Sequence, residues 1–188
     1  VAVRLVNELD EFERIRAGVR EAARGAWATL RAEHPTERFY YFGLWTTPVA
    51  HRPAPTACSV EGLARAVAGY RELGTTVDPD ELRWSENDSP YDLHGDDLFS
   101  ALEPLFEAFG DPYDRPRDVN EALLEAMTGA LADLEAEGFF GRGDERDAVV
   151  VNVTLPGRDD ARSAVASARR LNPPAALERY EADLLADR

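Results

Sequence analysis

The chain has 188 residues, 44% apolar and 30% charged, a balance that suits one globular domain and excludes both a disordered polyelectrolyte and a membrane-embedded chain, because no apolar run approaches the roughly 18 residues of a spanning helix. Its 21 basic residues are all arginine, and 36 acids leave a formal charge of −15, which argues against nucleic-acid phosphates and anionic lipid headgroups as partners. The single cysteine, Cys58, excludes an internal disulfide framework and suits a reducing compartment. The charge is uneven: residues 1–57 carry 8 arginines and 7 acids, residues 58–145 carry 6 and 22, and residues 146–188 carry 7 and 7. The excess is densest over residues 78–121, where 14 acids meet only Arg83, Arg115 and Arg117. The chain begins at Val1 rather than Met, and we expect residues ahead of it to have been removed or left out.

The first element is a helix, in which Phe12, Ile15, Val19, Ala22, Ala26 and Leu30 recur at steps of three and four with Trp27 beside them. Asn7 or Asp10 supplies its cap, and His34 before Pro35 ends it. Residues 38–47 crowd Phe39, Tyr40, Tyr41, Phe42, Leu44 and Trp45 around Gly43, the density of a central strand buried on both faces. Pro48, Pro53 and Pro55 then allow only a short or edge strand near residues 49–52. Ser59 caps a second helix with Val60, Leu63, Val67 and Tyr70 on its stripe and Gly74 at its end. Residues 81–84 read as a short strand and residues 85–95 as a polar loop. From about Asp96 a helix turns Leu98, Leu102, Leu105, Phe106 and Phe109 inward, and Pro104 kinks or divides it. After a turn over residues 111–116, Asp118 with Glu121 forms an acidic capping box for a helix through Leu123, Met127, Leu131 and Leu134 to Gly138. A glycine-containing loop leads into residues 147–155, whose β-branched run predicts a second central strand. Asp159 or Asp160 caps the next helix, which Pro173 and Pro174 break before a last short one over residues 175–186. Without regular β-α alternation, the order predicts one α+β domain: a small, mostly antiparallel sheet flanked by helices.

Five stretches, in this order and spacing, resemble the bacterial domain-of-unknown-function family numbered 4303: RFYYFGLWTT from Arg38, SVEGLARAVAGY from Ser59, ELRW from Glu81, LEAEGFFGRGDERDAVVVNVTL from Leu134, and RRLNP from Arg169. The likeness runs from about residue 12 to residue 180. It implies a compact stand-alone α+β domain of the bacterial cytoplasm, similar in size and acidity to immunity proteins of toxin systems, and brings no catalytic residue with it.

The strongest candidate for chemistry is the loop of residues 85–97, SENDSPYDLHGDD. Asp92, His94 and Asp96 fall at positions 1, 3 and 5 of a twelve-residue calcium loop with Glu103 at position 12, but Asp97 stands where that loop needs glycine, and an imidazole replaces an oxygen ligand. A solvated loop with helix-capping aspartates accounts for the same residues. Cys58 precedes a helix start, where a thiol pKa can fall, yet no oriented base accompanies it; packing explains it better. FFGRGDER, from Phe139, invites a phosphate-loop reading, but a helix precedes it and a strand follows, the reverse of what a phosphate loop requires. No cofactor pattern emerges. The leading expectation is a non-catalytic, immunity-like binding protein whose acidic surface over residues 78–121 meets a basic, toxin-like protein. Asp88, Asp92 and Asp96 would supply charge, and Trp84, Tyr91 and Phe99 an apolar anchor. The competing expectation is a metal-dependent enzyme or small-ligand module around Asp88, Asp92 and His94.

Overall fold

The computed structural model describes residues 2–156 and 161–186. Helix α1 (Ala2–Glu33) carries the predicted stripe, with Ile15, Val19, Ala22, Ala26, Trp27 and Leu30 buried. It starts ahead of Asn7 and Asp10, so both lie inside the helix rather than capping it. It stops at Glu33, one residue before His34 and two before Pro35, whose ring disfavours helical geometry in the residue before it.

Strand β1 (Phe39–Trp45) is the centre of a three-stranded sheet of order β2-β1-β3. β2 (Ala54–Ser59) pairs with it antiparallel, Phe42 opposite Ala57 and Leu44 opposite Pro55, while β3 (Val150–Thr154) pairs parallel, Phe42 opposite Val151. The α+β class and the small sheet flanked by helices are as expected, and the antiparallel pairing is the longer of the two, beginning at Phe39 where the parallel one begins at Tyr41. Alternation along β1 sends Phe42 and Leu44 to one face and Tyr41 to the other. The first face packs with α1 and α6 (Arg117–Ala136) in the main core, with Leu123, Met127, Leu131 and Leu134 from α6; the second packs Tyr41, Cys58 and Val150 against α8 (Ala161–Ala168) and α9 (Pro174–Leu185). Gly43 is required beside Tyr41, whose hydroxyl and ring atoms would lie 2.6–2.8 Å from an added Cβ.

Four local expectations change. The second strand lies at Ala54–Ser59, not at residues 49–52; Pro55 is tolerated there because β2 is an edge and the Pro55 carbonyl faces away from β1 to accept from Leu93 N at 2.9 Å, so no ladder N–H is missed. Residues 81–84 form no strand. Asp78 accepts from Asp80 N at 3.0 Å and starts a single helical turn, α3 (Pro79–Leu82), in which Pro79 supplies a preset φ. Helix α6 starts at Arg117 with Pro116 as its cap residue, so Asp118 sits in its first turn and Glu121 pairs with Arg117 at 2.7 Å instead of closing a capping box. β3 is not central, although every one of its residues is buried. The expected caps Asp159 and Asp160 lie outside the described residues.

Ser59 caps α2 (Val60–Glu72) by accepting from Gly62 N at 2.8 Å, and Gly74 follows its end at φ +80°. The helix expected from Asp96 is divided at Pro104 into α4 (Asp96–Ser100) and α5 (Glu103–Glu107). Gly95, at φ +80°, lets α4 meet α1 closely: an added Cβ would lie 2.8 Å from Ala26 Cβ. The short α7 (Asp144–Asp147) precedes β3. Among the described residues no helix is long and apolar enough to cross a membrane.

Candidate functional site

The loop of residues 85–95 lies along the outer edge of β2. Leu93 N donates to the Pro55 carbonyl at 2.9 Å, Ser89 Oγ donates to the Ala57 carbonyl, and Thr56 Oγ1 donates to the Glu86 carbonyl at 3.4 Å. It occupies backbone groups that would otherwise template another strand. Three acids in or next to it are bound from inside the protein. Asp88 accepts from Tyr70 and from Ser85 Oγ at 2.6 Å, Asp92 accepts from Trp45 Nε1 at 3.1 Å, and Asp96 accepts from Arg52 Nη1 at 2.6 Å, with Glu103 taking Arg52 Nε at 2.9 Å. His94 Nε2 lies 3.3 Å from Glu33. The three residues considered for calcium therefore turn to three different partners, and among the described residues no group of three or more His, Cys, Asp or Glu side chains converges as metal ligands.

The apolar anchors are also committed elsewhere. Phe99 is 0% and Tyr91 4% exposed, so neither presents its ring to a partner; Phe99 falls on the α1 side of α4, and Tyr91 packs between His34 and Phe39. Trp84 is half-buried, edge-on to Tyr40 and Tyr180, and donates from Nε1 to Asp183 at 3.0 Å. Tyr91 Oη instead joins a polar knot. Glu37 accepts from Tyr91, from Ser59 Oγ at 2.5 Å and from Arg65 at 2.9 Å, with His34 Nδ1 3.4 Å away. Burial opposes ionisation of Glu37, yet the hydrogen bonds from Ser59, Tyr91 and Arg65, with the Arg65 charge, outweigh it and hold the carboxyl below its usual pKa. Ser59 is wholly buried; the knot joins the end of α1, the start of α2 and the acidic loop, and exposes no nucleophile.

Cys58 is 5% exposed, and burial pushes its thiol pKa up to about 12, the opposite of activation. The glycine segment before β3 serves Arg146. Its guanidinium donates to Glu135 at 2.6 Å, to the Val149 carbonyl at 2.5 Å, and to the Leu171 carbonyl and Asn172 Oδ1 at 3.0 and 2.9 Å. With its donors filled, it ties α6, β3 and the α8–α9 connection together rather than receiving a phosphate.

One pocket lined by both apolar and charged side chains was not singled out by sequence. It lies between the β1–β2 connection, α5 and the turn before α6, has a volume of about 540 Å³, and is lined by His51, Arg52, Phe106, Pro112, Tyr113 and Arg115 among others. Tyr113 is 77% exposed and Arg115 8% exposed. Arg115 donates from Nη1 to the Ala50 carbonyl at 3.3 Å, its Nε is buried without a partner, and no ion pair involves it among the described residues. Burial lowers its pKa, with Asp111 opposing. The one sequence signal was an arginine set between Asp114 and Pro116 in the most acidic stretch, and that spacing looks identical for a solvated arginine.

No curated protein and no solved structure matches the chain. One family profile, described as Domain of unknown function (DUF4303), matches residues 19–173, a span that contains α1 from Val19, the whole sheet, and both Arg146 and Asn172. The chain belongs to the DUF4303 family of unknown function.

Proposed function

We propose that the protein is a non-catalytic binding module whose acidic face, along α4, α5 and the turn into α6, contacts a basic protein segment in the manner of an immunity protein meeting its toxin. One observation carries this reading. Within the central stretch, Asp88, Asp92 and Asp96 are engaged internally, whereas Asp97, Glu107, Asp111, Asp114 and Asp118 are all exposed and join no ion pair among the described residues. Exposed acids of one sign concentrate field, speed encounter with a cationic partner and repel anionic ones. Tyr113, exposed between Asp111 and Asp114, replaces Tyr91 and Phe99 as the apolar anchor that such an interface needs.

The test is affinity capture with the full chain at low and high salt. The reading expects one basic partner whose capture falls as the Debye length shrinks below about 10 Å. Capture is lost in Asp97→Arg combined with Asp114→Arg, weakened in Tyr113→Ala, and unchanged in Glu178→Arg on exposed α9 surface. A partner indifferent to the paired reversal, or none from any source containing basic proteins, refutes it.

A further inference from the structure

Two arginines among the described residues are buried, and they are treated oppositely. Arg146, 5% exposed, fills its donors with a carboxylate, two carbonyls and an amide oxygen. Arg115, 8% exposed, has one carbonyl at 3.3 Å, a buried Nε with no acceptor and no carboxylate within ion-pair distance among the described residues. This occurs in a chain of net charge −15, with Asp111 and Asp114 within four residues of it. A buried cation left unpaired is costly, and acceptors delivered by a ligand remove that cost.

We propose that the cleft formed by Arg115, His51, Phe106, Pro112 and Tyr113 binds a small organic monocarboxylate with an apolar body, its carboxylate received by the Arg115 guanidinium. The cavity of about 540 Å³ lies within the range of small-molecule sites. Phe106, Pro112 and Tyr113 provide the apolar wall, and His51 is held in place by Thr47 Oγ1, 2.5 Å from Nδ1, and stands edge-on to Tyr113 at 5.7 Å between ring centroids. The other cation of the lining, Arg52, is already bound to Asp96 and Glu103. The lining also carries Glu103, Glu107 and Asp111, so a phosphate, with its greater negative charge, is repelled more strongly than a single carboxylate. The site shares Tyr113, Glu107 and Asp111 with the protein-binding reading but takes a different class of ligand, so the outcome with phenylacetate does not depend on any protein partner.

Calorimetry on the full chain with phenylacetate, phenylacetamide and inorganic phosphate tests the proposal, with amide chemical-shift mapping to locate the contact. Phenylacetate is expected to bind with a Kd of about 1 mM or tighter, and the neutral amide at least tenfold more weakly, a difference of about 1.4 kcal/mol. Shifts should fall within residues 47–52 and 106–115, Arg115→Met should remove saturable binding, and Tyr113→Ala, at an exposed position, should weaken it several-fold. Should Arg115→Met fail to fold, the acid-to-amide ratio and Tyr113→Ala still decide. Equal binding of acid and amide, no saturable binding of the acid, displacement by equimolar phosphate, or shifts elsewhere overturns the proposal.

Discussion

Asn172 closes the free edge of β3 with one side chain, and replacing it by alanine measures what that closure contributes. Its Oδ1 accepts from Val151 N at 2.7 Å while its Nδ2 donates to the Val151 carbonyl at 2.6 Å, so one amide imitates both bonds a neighbouring strand would make. The same side chain accepts from Arg146 at 2.9 Å and donates to the Ala168 carbonyl at 2.7 Å. Val151 is 1% exposed, so Asn172→Ala orphans a buried N–H and a buried C=O, at about 1 to 3 kcal/mol each. Because Asn172 itself is only half-buried, water reaches part of the vacated space, and we expect a net loss of about 2 to 4 kcal/mol. That is a large part of the roughly 5 to 15 kcal/mol that stabilises an ordinary domain. Urea unfolding followed by tryptophan fluorescence reads the midpoint shift at constant slope. Arg169→Ala, three residues earlier in the same sequence motif, removes only a surface pair with Glu181 and should leave the midpoint near wild type. A loss in Asn172→Ala no greater than in Arg169→Ala would refute the reasoning, and with it the explanation of how a β3 that pairs on one side only stays buried.

Three further outcomes follow from the core and the polar knot. Because Glu37 has its folded-state pKa depressed below 4.5, it contributes stability above that value which is lost as pH falls through the lower folded value; Glu37→Gln should be less stable at neutral pH but lose less on acidification, as pH-dependent urea midpoints will show. Cys58 should resist a thiol reagent in the native state at pH 8 and react at once in denaturant, because burial holds its pKa near 12. Phe42→Ala empties a site 1% exposed, against Trp27 and Phe140, and should cost about 3 to 5 kcal/mol by the same urea assay.

The elements legible in the sequence are those whose signal is local. The three- and four-residue stripe of α1, the aromatic density of β1, the β-branched run of β3, the Ser59 cap and the division at Pro104 all depend on neighbours a few residues apart. The α+β class followed from their order. Asp78 before Pro79, a local cap the strand reading overlooked, makes residues 79–82 helical, whereas Pro55 entered β2 through a tertiary contact, because the 85–95 loop takes up the outward-facing groups of that edge. The candidate site was legible only as composition. Asp96 meets Arg52 across 44 residues, Asp92 meets Trp45 across 47, and Asn172 meets Val151 across 21, and no spacing rule reports such pairings. Arg146 and Arg115 sit in similarly polar sequence, yet one is filled by groups from three parts of the chain and the other faces a cleft. That difference arises from which segments fold next to each guanidinium, and only the tertiary structure brings them there.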